Sequence, residues 1–139
     1  MRGFWILILI TCLGCSEREV LAEDLHFLNG YWQIQEVTLP NGNKKTYGPG
    51  AVIDYIVIEN QKGYKKKVQP RIDGTYQISK DQEPLEIHSS DTGFSIVYQN
   101  QLSSWQDRLV SLDSTQYSII NEDGITYTYT RYQPISIEP

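Results

Sequence analysis

The sequence has few residues of the kinds that most often carry chemistry. Its 139 residues include two cysteines, two histidines and one methionine. They show no metal-ligand spacing and no glycine pattern of a phosphate- or dinucleotide-binding loop. The stretch HSSD, His88 to Asp91, contains the residue types of a catalytic triad, but adjacent residues cannot align as base, nucleophile and orienting group. We therefore expect no enzymatic activity, no bound metal and no cofactor.

Positive charge and long apolar runs are also scarce. The chain carries 12 Lys and Arg residues against 17 Asp and Glu residues, a formal net charge of −5. Nucleic-acid binding depends on an excess of cations that neutralise phosphates, so we expect no nucleic-acid partner. The longest apolar stretch extends from Phe4 to Leu13, which is too short to cross a bilayer comfortably.

The first residues, MRGFWILILITCLGC, are organised like a secretory signal peptide. A positive charge precedes the apolar run, and the small residue Gly14 precedes Cys15. This ending resembles the lipobox of bacterial lipoproteins, whose cysteine is acylated and becomes the mature N-terminus. The resemblance implies a signal peptide over 1–14, lipidation of Cys15 and a membrane anchor in the bacterial cell envelope, at the outer membrane. Acylation of Cys12 in a shifted frame, or simple secretion, is the alternative.

The segment 15–25 that follows is polar and rich in acidic residues. It is typical of a solvated tether, and acidic residues in this place also resemble a signal that sends some lipoproteins to the cell surface. We predict one folded domain over 26–134, in keeping with the chain length, and a C-terminal tail over 135–139. Cleavage before Cys15 would leave no pair of cysteines for an internal disulfide.

From Gly30 onward, apolar and polar residues alternate with the period of a β-strand. The ten tyrosines are mixed with Thr, Ile and Val, a composition typical of sheets, and glycine-containing turns recur at short intervals. The pattern predicts one helical turn at 22–28 and strands over 31–38, 52–59, 63–69, 74–79, 85–89, 93–99, 104–112, 115–120 and 124–132. A meander of this kind removes its exposed edges by closing. We therefore predict an all-β, antiparallel, up-and-down barrel of about eight strands.

The start of the first strand carries a recognisable motif. Gly30 to Trp32 resembles the G-x-W signature of the lipocalins, and Arg131 lies where lipocalins place an arginine over that tryptophan. With the stretch GYKKKVQPRIDGTY and the tyrosine-rich last strand, the chain resembles the small lipocalin-like domains of bacterial lipoproteins. The resemblance implies that Gly30, Trp32 and Arg131 close one end of the barrel. The Thr-Asp-Tyr element of the larger lipocalins is absent from the corresponding later loop.

Alternation also predicts which side chains face the barrel interior. Aromatic rings that point into a small barrel either fill its interior or line a cavity for one ligand. Alternation also places Glu36 on the same face as Trp32, where its carboxylate would be buried. The candidate ligand-binding residues are Tyr55, Tyr98, Trp105, Tyr127 and Tyr129. A cavity predicts a small hydrophobic or amphipathic ligand, whereas a filled barrel predicts a structural or interaction lipoprotein with an envelope protein partner.

A basic run stands out in this acidic chain and comprises Lys65, Lys66, Lys67 and Arg71. On the outer surface it would attract an anionic lipid, polysaccharide or protein. Alternation instead sends Lys65 and Lys67 to one face and Lys66 to the other, and lysines also protect strand edges from unwanted pairing. The sequence leaves both interpretations open.

Overall fold

The computed structural model describes residues 19–48 and 53–132. The predicted signal peptide, the candidate acylation sites Cys12 and Cys15, and the predicted C-terminal tail lie outside these residues. No helix in the described part of the chain has the length and apolar character needed to span a membrane.

A 3₁₀ helix (Ala22–Leu28) precedes nine β-strands. The strands are β1 (Gly30–Thr38), β2 (Lys44–Thr46), β3 (Ile53–Glu59), β4 (Lys62–Pro70), β5 (Tyr76–Ser90), β6 (Gly93–Gln99), β7 (Ser104–Leu112), β8 (Gln116–Ile120) and β9 (Thr126–Arg131). The predicted turn of helix before the first strand is therefore present, and most predicted strands agree with the structure to within a few residues.

Two elements differ from the prediction. The segments 74–79 and 85–89 belong to one continuous strand, β5, and the short strand β2 was not predicted. The polar residues before Pro84 suggest a break, but Gln82 and Glu83 pair with β4, and a register shift between Lys66 and Val68 accommodates the residues between Ile78 and Gln82. A bulge of this kind bends a strand without ending it.

The strands form an antiparallel meander that closes on itself. Each strand from β3 to β8 pairs with its successor, and β1 pairs with both β3 and β9, so that eight strands form a closed barrel. β2 adds to the far end of β1, opposite Glu36 to Thr38, a part of β1 that β3 does not reach. The predicted all-β, up-and-down barrel is confirmed.

The hairpins define two ends of the barrel. The β3–β4, β5–β6 and β7–β8 turns lie at the end where β1 begins, which we call the closed end because the 3₁₀ helix packs there. The β4–β5, β6–β7 and β8–β9 turns lie at the opposite end, which we call the open end. Leu25 of the 3₁₀ helix is buried and Val20 packs against the core, so the packed part of the chain begins before residue 26.

The core extends from the closed end into the interior of the barrel. Its buried residues are Leu25, Leu28, Trp32, Ile56, Leu85, Ile87, Ile96, Tyr98, Leu109, Leu112, Tyr117 and Ile119. Most come from alternate positions of the strands, as expected for the inner face of a barrel. Burial of this aliphatic and aromatic surface is the main source of the barrel's stability.

Glu36 is not part of this interior, and its predicted burial is wrong. A register shift between Ile34 and Glu36 in the β1–β9 pairing reverses the faces, so Glu36 lies opposite Thr128. Its side chain is 30% exposed, and its carboxylate lies 3.6 Å from the ammonium of Lys44 on β2. Simple alternation fails here because the register shift changes which face each later residue occupies.

Candidate functional site

Arg131 seals the closed end of the barrel. Its guanidinium carbon lies 3.8 Å from the centroid of the buried Trp32 ring. Nη1 donates a hydrogen bond to the carbonyl of Asn29 (2.6 Å), and Nη2 donates to the carbonyls of Phe27 (2.8 Å) and Ser114 (3.1 Å). Desolvation lowers the pKa of Arg131, but a guanidinium remains charged at any physiological pH. The arginine thus ties the end of the 3₁₀ helix to the β7–β8 turn.

Gly30 and Trp32 complete this arrangement. Gly30 has φ +119°, and a Cβ there would lie 2.6 Å from Nη1 of Arg131, so both the backbone and the space favour glycine. The Trp32 indole donates to the carbonyl of Leu28 at 2.9 Å and meets Tyr117 edge-on at 4.7 Å. The structure therefore brings the three residues of the predicted barrel-closing signature together, at an end filled by side chains.

Above this filled end the interior becomes polar. Asp54, with a side chain 5% exposed, accepts a 2.5 Å hydrogen bond from Lys67. Lys65 has a side chain 15% exposed, lies 3.7 Å from Glu83, and places its ammonium 4.5 Å from the Tyr98 ring centroid. A buried charge requires such a partner: Lys67 supplies one for the Asp54 carboxylate, and Glu83 supplies one for the Lys65 ammonium.

The lysines of the basic run are divided between the two faces of β4. Lys65 and Lys67 turn toward interior acidic groups, and Lys66 lies with its ammonium 5.1 Å from the ring of Tyr64. Arg71 lies beyond β4 in the β4–β5 turn. The alternation of the strand therefore separates Lys65 and Lys67 from Lys66, which is the second of the two interpretations that the sequence leaves open.

An open pocket of about 320 Å³ lies at the open end, between β7 and the β8–β9 hairpin. Its lining residues are Trp105, Gln106, Asp107, Ile119, Asn121, Glu122, Asp123, Tyr127 and Tyr129. Three of the five residues predicted to bind a ligand are therefore in one pocket.

Ring stacking supports two walls of this pocket from behind. Tyr98 stacks on Trp105 with ring centroids 5.4 Å apart, and Tyr117 stacks on Tyr129 at 4.7 Å. Tyr98 thus lies one layer behind the pocket. Such stacking holds the Trp105 and Tyr129 rings, which line the pocket, against a second ring.

Carboxylates are the other main component of the pocket. Asp107, Glu122 and Asp123 line it, and none of them forms an ion pair with a described residue. Desolvation raises the pKa of Asp107, Lys65 lowers it, and the charges of Glu122 and Glu83 raise it further. Within 19–48 and 53–132, no group of three His, Cys, Asp or Glu side chains is arranged to hold a metal ion.

Two tyrosine hydroxyls face this polar interior. Tyr98 and Tyr117 are each 3% exposed, and burial, followed by nearby groups that include Asp107 and Asp54, raises the pKa of each hydroxyl. Neither hydroxyl has a hydrogen-bond partner among the described residues. Since no fully buried side-chain polar atom in the same residues lacks a partner, both hydroxyls retain access to water.

Tyr55 lies on the outer face of the barrel, so its predicted interior position is wrong. It pairs with Tyr31 across β1 and β3, and the two rings stack at 4.5 Å. Tyr76 stacks on the same Tyr31 ring at 5.2 Å. Because Trp32 points inward, its neighbour Tyr31 and the partner of Tyr31 point outward.

The acidic residues of the pocket are the functional candidates that sequence reasoning missed. Asp107 is two positions from Trp105, so alternation alone would have placed both on one face. Glu122 and Asp123 belong to the stretch NEDG, whose composition indicates a turn, and the structure places that turn at the pocket rim. The acidic residues of this turn were therefore visible in the sequence, but a turn alone is enough to explain their presence.

The topology and the closed-end contacts together identify the kind of fold. An up-and-down antiparallel meander of eight strands closes through β1 and β9, and an arginine on the last strand covers a tryptophan on the first. The fold is lipocalin-like. The prediction of a lipocalin-like domain is therefore confirmed as a fold.

Solved structures with a similar chain path include a lipocalin-like protein and two apocrustacyanins. A lipocalin-like protein from Bacteroides uniformis ATCC 8492 is 12% identical with a TM-score of 0.48, over 76% of this chain and 99% of that one. Apocrustacyanin C2 is 12% identical (TM-score 0.47; 84% and 67% of the two chains), and lobster apocrustacyanin A1 is 12% identical (TM-score 0.46; 83% and 66%). No protein-family profile and no curated protein sequence matches the chain.

Proposed function

We propose that this protein is a lipocalin-like lipoprotein of the bacterial cell envelope that binds a small amphipathic molecule at the open end of its barrel. The observation that carries this proposal is the open pocket, where Trp105, Tyr127 and Tyr129 offer aromatic surface and Asp107 offers a charge. Its volume, about 320 Å³, falls at the lower end of the range for ligand pockets. Because side chains fill the closed end, the ligand is restricted to the open end.

The envelope location is supported by the sequence of the first residues, and the barrel leaves room for an anchor on the side away from the pocket. The stretch that ends at Cys15 resembles a lipobox, and a lipid attached there would anchor the domain to a membrane. The chain enters the barrel at the closed end, through the 3₁₀ helix that precedes β1. An anchor on that side leaves the open end accessible to a ligand.

The binding proposal is tested with an uncharged fluorescent amphiphile, 1-aminoanthracene, titrated into the purified full chain. We expect saturable binding at one site per molecule. Tyr127→Trp, which enlarges a ring that lines the pocket, should weaken binding at least about tenfold. Tyr55→Trp makes the same change on the outer face and should leave binding unaltered. Absence of saturable binding to the wild-type chain, or equal effects of the two variants, would reject the proposal.

The anchor is tested separately, by mass spectrometry of the mature N-terminus after expression in a bacterium. We expect a chain that begins at Cys15 and carries acyl groups. Cys15→Ser should leave an unprocessed, unacylated precursor, whereas Cys12→Ser should be processed normally. Acylation that survives Cys15→Ser would instead assign the lipid to Cys12, and an unacylated wild-type chain would remove the anchor.

A further inference from the structure

The charges around the pocket are unbalanced. Lys67 is paired with Asp54 and Lys65 with Glu83, and each pair is neutral overall. The three lining carboxylates, Asp107, Glu122 and Asp123, have no such partner among the described residues. Glu122 and Glu83 act as like charges on the partly buried Asp107 carboxylate, and a bound cation would relieve this repulsion.

The aromatic lining suits the same kind of ligand. Tryptophan and tyrosine faces attract ammonium groups through the ring quadrupole, and Trp105, Tyr127 and Tyr129 all line the pocket. The interior already contains one such contact, between the ammonium of Lys65 and the ring of Tyr98 at 4.5 Å. The rings also provide apolar surface for the remainder of an amphipathic molecule.

The strand register places the Asp107 carboxylate closer to the closed end of the barrel than the Trp105 ring. In the β6–β7 pairing, Trp105 lies opposite Tyr98, and Asp107 lies opposite Ile96, one inward step closer to the closed end. A ligand that enters from the open end therefore passes Trp105 before it reaches the Asp107 carboxylate. Glu122 and Asp123, which are exposed on the β8–β9 turn, lie at the rim.

The interior at the depth of Asp107 is polar. Tyr98 lies in the layer behind Trp105, and its hydroxyl is close enough to Asp107 for that carboxylate to raise the pKa of the hydroxyl. An ammonium group fits such surroundings because a carboxylate balances its charge.

We propose that the pocket selects an organic cation, namely a small molecule with an ammonium group and an aromatic or aliphatic body. The ammonium lies against the Asp107 carboxylate, and the body contacts Trp105 and Tyr127. This inference rests on the proposed function, since it names the class of ligand for the same pocket.

The test uses three matched compounds that differ only in their polar group: 3-phenylpropylammonium, 3-phenylpropanol and 3-phenylpropionate. Each is used to displace 1-aminoanthracene from the purified full chain at pH 7. We expect the ammonium compound to bind at least about tenfold more tightly than the alcohol, and the carboxylate to bind most weakly. If the neutral probe binds but the three compounds bind equally, the cation proposal fails while the proposed function stands. If the probe does not bind at all, the proposed function fails first.

Two variants, each lacking one negative charge, test whether the preference for the ammonium compound depends on Asp107. Asp107→Asn should reduce the preference for the ammonium compound over the alcohol to less than about twofold. Asp91→Asn removes one negative charge from the exposed β5–β6 turn at the closed end and should leave the preference unchanged. Circular dichroism of both variants confirms folding. A preference that survives Asp107→Asn, or that is lost equally in Asp91→Asn, would overturn the assignment.

Discussion

The guanidinium of Arg131 lies on the Trp32 ring, 3.8 Å from its centroid, while its nitrogens donate to the backbone carbonyls of Phe27, Asn29 and Ser114. One side chain therefore satisfies carbonyls from two separate segments and covers the largest buried ring. The planar, five-donor geometry of arginine makes this possible, and a lysine ammonium cannot reproduce it.

Replacement of Arg131 should destabilise the barrel more than loss of a surface charge. Arg131→Met leaves three carbonyls without their donor and removes the cation–π contact, so we expect a loss of about 2 to 4 kcal/mol in the free energy of unfolding. Arg131→Lys should restore less than half of that loss. Urea denaturation measures both, with Arg108→Met at an exposed position of β7 as the control. A loss for Arg131→Met below about 1 kcal/mol would show that the contact contributes little.

Gly30 and Gly42 provide a matched pair that separates backbone strain from steric conflict. Both have positive φ, +119° and +89°, but only at Gly30 would a Cβ contact another residue, Arg131, within 4 Å. We expect Gly42→Ala to cost about 1 kcal/mol from the backbone alone. Gly30→Ala should cost at least about 1 kcal/mol more, because the guanidinium has to move off its carbonyls. Equal losses in urea denaturation would mean that Arg131 adapts freely.

Lys67 should matter for stability because Asp54 depends on it. Asp54 has a side chain 5% exposed and Lys67 lies 2.5 Å away, so Lys67→Met leaves a buried carboxylate without its cation. We expect a loss of about 2 to 3 kcal/mol, below that for a fully buried pair because Lys67 itself is largely exposed. The neighbouring Lys66→Met removes a contact with Tyr64 and should cost less than about 1 kcal/mol. Adding Asp54→Asn to Lys67→Met should recover part of the loss, and a further loss in the double variant would contradict this account.

Asp107 should show the opposite behaviour, since its ionised form is unfavourable in the folded state. Desolvation and the charges of Glu122 and Glu83 raise the pKa of Asp107, against the lowering effect of Lys65. A carboxyl group whose pKa is raised on folding costs stability above that pKa, and the cost disappears as the group becomes protonated at lower pH. Asp107→Asn should therefore be at least as stable as the wild type at pH 7, and the difference should shrink toward pH 4. Thermal melts across this range test both points, and a variant clearly less stable at pH 7 would contradict them.

The strands and the closure of the barrel could be predicted because they depend on local patterns. Alternation and turn residues define the hairpins, and Gly30 and Trp32 mark the first strand. What alternation cannot supply is the choice of the inner face, and that is why Tyr55 was assigned to the interior although it stacks on Tyr31 outside. It also cannot reveal a bulge, which turned Glu36 outward.

The candidate site was only partly predictable for a related reason. Trp105, Tyr127 and Tyr129 could be named as inward rings, but their meeting with Glu122 and Asp123 depends on how the last hairpin sits beside β7. The lysine run illustrates the same limit, because Lys65 and Lys67 find Glu83 and Asp54 only through the pairing of strands. Contacts between distant segments are set by register, which a single sequence encodes weakly.

The β1–β9 closure also constrains how the chain reaches its folded state. Arg131 donates hydrogen bonds to Asn29 and Phe27, which lie 102 and 104 positions away in the chain. Contacts of such long range are entropically costly to form. Until β9 is in place, β1 and β8 each present an unpaired edge, and such edges invite association with other chains. Pairing of β9 with β1 and β8 therefore removes both unpaired edges. A nascent chain that lacks β9 would depend on chaperones to remain monomeric.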